Sequence, residues 1–131
     1  MEPNLPSIEH LNHLTAIILD AAIRVHKENG PGLLESVYHH CLSKELRERG
    51  LSVEAMVPVP LQYRREDLNK DYVVDILAEG EIIVEVKAIE NILPVHEAQV
   101  ISYLKLAKKR VGLLINFNVP LLKQGFKRFV N

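Results

Sequence analysis

The chain has 131 residues, 47% hydrophobic and 25% charged, a composition typical of a globular domain that buries roughly two-thirds of its surface without metal or disulfide staples. A single cysteine, Cys41, excludes an intramolecular disulfide framework and fits a reducing, cytoplasmic compartment. No apolar run approaches the roughly 18 residues of a membrane span, and Met1 to Ser7 lacks the basic and apolar regions of a signal peptide. The formal net charge of -1 decides nothing about polyanionic partners, but residues 1–97 hold all seventeen acids and nine basic side chains, while residues 98–131 hold seven basic side chains and no acid. That polarity marks either a nucleic-acid surface joined to an acidic, cation-binding region or a solvated basic face.

No repeat, low-complexity tract or linker interrupts the sequence, so residues 1–131 read as one domain. Ile8, Leu11, Leu14, Ile18, Ala22 and Val25 recur at helical spacing and predict a first helix from the N-cap Ser7 to about Glu28, ended by Asn29-Gly30-Pro31-Gly32. A second helix is expected from about Leu33 to Arg49, with Leu34, Val37, Tyr38, Cys41, Leu42 and Leu46 on its apolar face and Gly50 just beyond its end. From Leu51 the period changes to two, predicting an edge strand interrupted by Pro58 and Pro60, then a short strand over Leu61–Arg65 and a polar turn over Glu66–Lys70. Tyr72–Leu77 and Ile82–Val86 are apolar on both faces and are expected as central strands covered by helices on both sides. Pro94 opens a helix to about Lys109; Val111–Phe117 reads as a buried strand, and Phe126–Val130 as a terminal strand or short helix.

Asp75, Glu85 and Lys87 stand in the two central strands, where a packed sheet has little use for charge. A three-residue turn centred on Gly80 sets Asp75 opposite Glu85, on the face that also carries Lys87. Facing carboxylates repel, and burial makes two ionised ones costlier, so the pair calls for a cation or a raised pKa. Magnesium, with manganese as substitute, suits the set, because a hard divalent cation takes a few carboxylate oxygens and keeps waters, one of which can attack a phosphodiester. Lys87 would orient that water or stabilise the charge of the transition state. The competing reading is a partly buried ion network, Asp75 with Lys87 and Glu85 as third member.

Asp-x9-Glu-x-Lys on adjoining strands, preceded by a helix with a carboxylate and followed by another helix, resembles the PD-(D/E)XK nuclease superfamily. That resemblance implies an α/β fold with an αβββαβ core and a central mixed sheet flanked by helices. Val74 stands where the proline of the superfamily's name would be. His26-x3-Gly30-Pro-Gly32-Leu-Leu-Glu35-Ser-Val-Tyr38, Glu85-Val-Lys87, Val95–Leu104 and Gly112–Asn118 resemble the GxxExxY protein family over nearly the whole chain. The resemblance implies that Asp75, Glu85 and the Val86 carbonyl hold the metal. It places Glu35 on a helix facing the metal site; by itself Glu35 is equally a carboxylate favoured by the helix dipole. Gln99 and Tyr103, four apart on one helical face, are similar to a Gln-x3-Tyr element that supports the active site or contacts the nucleic-acid backbone; read alone, they are a solvent-facing and a core residue.

His26, His39, His40 and His96 lack zinc spacing; His26 and His96 are the two candidates to line the pocket, and surface or cap roles are expected for most of the histidines. Cys41 reads as a small core residue. Nucleotide-binding and serine-nucleophile motifs are missing. The leading expectation is a magnesium-dependent nuclease acting on DNA, RNA remaining open. Lys105, Lys108, Lys109 and Arg110 would contact phosphates near the acidic pocket, and a homodimer would supply further surface. The alternatives are a nuclease-fold nucleic-acid-binding module with little activity and a homo-oligomeric interaction protein whose buried charges are structural.

Overall fold

The computed structural model describes residues 6–131, so most of the N-terminal stretch read for a signal peptide lies outside the described residues. Ser7 caps α1 (Ile8–Asn29), its hydroxyl accepting from the His10 N–H at 3.1 Å. The three- and four-residue spacing buries Leu11, Leu14, Ile18, Ala22 and Val25 as expected. The second helix, α2 (Glu35–Glu48), starts later than its apolar pattern suggested. The Gly-Pro-Gly turn leaves Leu34 with extended backbone at the N-cap, so Leu33, Leu34 and Val37 are exposed rather than packed.

Two adjustments follow in the strands. Pro58 and Pro60 do not divide the first strand: β1 runs unbroken over Val53–Tyr63 at the sheet edge, where a missing N–H is tolerated, and the register merely slips between Pro60 and Gln62. Glu66–Lys70 is not a turn but the start of β2 (Glu66–Ala78). The chain reverses at Arg64 and Arg65, both with left-handed φ (50° and 68°), as a two-residue hairpin of this type requires. Three strands therefore precede the third helix, not four. β3 (Ile82–Lys87), α3 (Pro94–Ala107), β4 (Val111–Asn116), a 3-10 turn (Leu122–Gly125) and β5 (Phe126–Val130) complete the chain. α3 stops short of Lys109 because Lys108 takes a left-handed conformation (φ 57°, ψ 45°) and closes it.

The sheet order is β1-β2-β3-β4-β5, antiparallel except for the parallel β3–β4 pair that α3 connects. α1 and α2 cover one face with Val84, Val86, Leu113, Ile115 and Phe117 beneath them; α3 covers the other over Ile83, Leu114 and Val74. The central position of β3 explains its two apolar faces. α3 lies so close to β4 that a Cβ at Gly112 would come within 2.8 Å of Val100 Cγ1. Among the described residues no helix is long and apolar enough to cross a membrane.

One irregularity positions the site. On β2, Tyr72 and Val74 belong to the α3 face but Ile76 and Ala78 to the α1–α2 face; on β1, Val57 and Val59 likewise part from Val53. Both strands therefore change side-chain phase together, between the regular pairs Val57–Val74 and Ala55–Ile76. Met56, with φ 53°, and Asp75 occupy the interruption.

Candidate active site

Glu79-Gly80-Glu81 sets the β2–β3 register at Ile76–Val84, Leu77–Ile83 and Ala78–Ile82, which brings Asp75 level with Glu85 as the sequence predicts. There side chains take over from the ladder. The Asp75 N–H donates to Glu85 Oε2 at 3.1 Å, and the Val86 N–H donates to Asp75 Oδ2 at 2.8 Å. Glu85 is only 5% exposed. Burial first, then its hydrogen bond to Asp75 and the Asp75 charge, push its carboxyl up to about 9, while the Lys87 charge pulls the other way. Without a cation, the pair thus retains a proton at neutral pH. Among the described residues the ion pairs, Arg24–Glu28, Arg49–Asp20, Arg49–Glu45 and Lys127–Glu97, all lie elsewhere, so Lys87 is not engaged in the ion network proposed as the competing reading.

The other site residues divide. From α3, the Tyr103 ring stacks on Tyr72 with centroids 3.7 Å apart, and the Tyr72 hydroxyl donates to the Tyr103 carbonyl at 2.9 Å. Burial, then the nearby Glu85 and Asp75 charges, raise the Tyr103 pKa, so its phenol shares the field of the two carboxylates. Gln99, one turn earlier, is exposed, as is Glu35 in the first turn of α2. Val86 offers its backbone to this side, its N–H meeting Asp75 while its side chain is buried on the opposite face.

Two residues escaped the sequence reading. His39 Nε2 lies 2.8 Å from the Asp75 carbonyl oxygen; the available signal was its place one turn after Glu35 on the same helical face. Asn116, 2% exposed and level with Lys87, accepts from the Ile89 N–H at 3.1 Å and donates to the Ile89 carbonyl at 2.9 Å. Together with the bond from the Phe117 N–H to the Lys87 carbonyl at 2.9 Å, this braces the chain just beyond Lys87. The two histidines singled out from the sequence do other work: His26 donates from Nε2 to the Val119 carbonyl at 2.7 Å, and His96 Nδ1 accepts from the Leu93 N–H at 2.8 Å at the start of α3. Tyr38 stacks on Phe117, donates to the Gly30 carbonyl at 2.6 Å and accepts from the Leu33 N–H at 3.1 Å. Tyr38 therefore shapes the loop before α2 through Gly30 and Leu33, His26 ties α1 to the segment after β4, and Glu35, like Leu33 and Leu34, faces outward.

The basic cluster needs a positional correction. α3 starts near the end of β3 and returns to the start of β4, so Lys108, Lys109 and Arg110 lie off the helix, and Arg110 is four residues, about 13 Å along the strand, before the level of Glu85. Lys105 is on the last turn of α3 and exposed. The Arg110 guanidinium donates to the Pro6 carbonyl at 3.2 Å. Arg110 is thus offset along the sheet from the level of the two acids.

Among the described residues no three or more His, Cys, Asp or Glu side chains converge as a metal cage. Two adjacent carboxylates nevertheless fit magnesium, which commonly takes one or two of them and keeps several waters. The mixed sheet between helices, with two acids and a lysine on its middle strands, is the architecture of a nuclease-type domain. A family model for the PD-(D/E)XK nuclease superfamily matches residues 12–129, and the chain belongs to that superfamily. Nucleases of this superfamily generally use divalent metals and act on nucleic acid. No match was found among curated proteins or among solved structures.

Proposed function

We propose that this protein is a magnesium-dependent nuclease that hydrolyses phosphodiester bonds of DNA. The observation that carries the reading is the abutting pair of half-buried Asp75 and buried Glu85, with no neutralising ion pair from Lys87. Asp75, Glu85 and the Val86 carbonyl hold the cation, with Glu35 as an outer carboxylate. Bound there, the ion would neutralise charge on a phosphodiester oxygen and activate a water. The chain's own groups do the rest. Lys87, on the face of Glu85, orients the attacking water and stabilises the extra negative charge of the transition state. Tyr103 and Gln99 border the pocket from α3 and position the scissile strand. Lys105, Lys108, Lys109 and Arg110 contact phosphates farther along the backbone.

Purified protein should nick or degrade DNA with magnesium or manganese and stop on addition of EDTA. Asp75→Asn and Lys87→Ala should lose at least about a hundredfold in rate, on the order expected for removing one transition-state contact, while staying folded. Equal rates in wild type and both variants would assign the activity to a contaminant. The same assay on RNA decides between the two polymers.

A further inference from the structure

Asp75 is held unlike any other residue of β2. On one side its ladder partner would be Met56, but Met56 has left-handed φ (53°) and the regular pairs resume only at Ala55–Ile76 and Val57–Val74. On the other side the ladder ends at Ile76–Val84, and the Asp75 N–H goes to the Glu85 side chain. A strand released from both neighbours leaves a polar carbonyl to satisfy. That carbonyl meets His39 Nε2 at 2.8 Å. A carbonyl oxygen only accepts, so Nε2 carries the proton and donates. Nor is the ring free to wander, since His39 is half-buried at the flank of the α2 face that carries the fully buried Tyr38 and Leu42.

From this arrangement we infer that His39 is a positioning residue: its bond to the Asp75 carbonyl fixes the interrupted stretch of β2 so that the Asp75 carboxylate points at the Val86 N–H and at Glu85. The inference rests on the metal-site reading only for its consequence, cation affinity. The positioning itself exists in the metal-free protein. Three attachments define the Asp75 peptide and side chain: N–H to Glu85, carboxylate to Val86, carbonyl to His39. The first two come from residues adjacent to each other on β3 and allow the whole group to pivot; the third comes from a helix on the opposite face and stops the pivot. Helix α2 thereby touches the site through the His39 imidazole, one turn beyond the exposed Glu35.

The test compares His39→Leu, which fills the space without a donor, with His39→Gln, whose side-chain amide restores one. Amide hydrogen exchange is followed residue by residue in the metal-free chain, and Mn2+ binding is titrated separately. His39→Leu should speed exchange at the Asp75 and Val86 amides about tenfold or more while Val84 and Ile115 stay protected, and should weaken Mn2+ binding about ten- to hundredfold, the range for loss of a group that orients a ligand. His39→Gln should recover most of both. Unchanged exchange at Asp75 and Val86 in His39→Leu overturns the inference, and so does a uniform rise across the molecule, which would make the bond a general fold contact. If exchange changes at those two amides alone but wild type binds no Mn2+, the metal-site reading falls and the positioning role stands.

Discussion

Glu85 binds a proton in the folded chain at pH values where the unfolded chain has already released it, because burial and Asp75 lift its carboxyl from 4.5 to about 9. For an acid whose folded pKa is raised, linkage makes the contribution to stability greatest below the ordinary value and progressively lost as pH climbs through the folded one. The metal-free protein should therefore lose thermal stability between about pH 4.5 and about pH 9. Glu85→Gln, which keeps an oxygen for the Asp75 N–H, should flatten that slope, and Asp75→Asn should be at least as heat-stable as wild type at pH 8. Melting curves across the range in EDTA give the answer; a large drop in melting temperature for Asp75→Asn would mark the carboxylates as a structural network. Magnesium should restore the stability lost at high pH, since cation binding favours the ionised pair.

At the scale of the elements, the acids of the site were legible and their supports were not. Gly80 between two acids, flanked by apolar strands, specifies one hairpin register, and that register alone brings Asp75 to Glu85. Nothing in the residue types announces a turn at Arg64-Arg65, because arginine has no preference for left-handed backbone, so the first two strands were read with a break at the prolines and a turn in the wrong place. His39 and Asn116 were missed for a related reason: each acts through a backbone group of a distant element, and such a bond leaves no pattern along the chain. The closing 3-10 turn belongs with these supports. A Cβ at Gly125 would lie 2.0 Å from the Asn116 carbonyl oxygen, a backbone atom that cannot swing aside. Gly125→Ala should accordingly shift the end of β4, cost about 1–3 kcal/mol and slow cleavage by loosening the brace behind Lys87. Gly112→Ala, whose new methyl would meet the Val100 side chain at 2.8 Å rather than backbone at 2.0 Å, should cost less; thermal melts of the two variants side by side test the difference.

For the whole molecule, the acid-free last third of the sequence is spread over the structure rather than gathered at the pocket. Lys127 pairs with Glu97, Arg128 bonds Asn12 and Arg110 bonds Pro6, which leaves Lys123 and the run Lys105, Lys108 and Lys109, the last three clustered at the end of α3 where together they can meet a polyanion. Lys108→Glu with Lys109→Glu should weaken binding to unrelated DNA sequences alike and flatten the dependence on salt by the share of two phosphate contacts, a change of roughly two in the log–log slope, with Mn2+ binding unaltered. An unchanged slope in fluorescence titrations would mean that the basic segment is a solvated face and that phosphates are held elsewhere.

The sheet topology also sets an order of events in folding. Asp75 and Glu85 lie in one hairpin, ten residues apart, and a hairpin closes in microseconds. The groups that brace Lys87 arrive with β4, after a crossover that must first close a loop of about thirty residues. A nascent hairpin thus meets the repulsion between its acids before the rest of the sheet can hold it in place. At pH 5, close to the ordinary carboxyl value of 4.5, the closing hairpin readily takes up the proton that relieves this repulsion and the obstacle is small; at pH 9 it is present. Glu85→Gln should consequently speed refolding at pH 9 and leave it nearly unchanged at pH 5 in stopped-flow experiments. Equal acceleration at both pH values would show that the acids meet only after the transition state has passed.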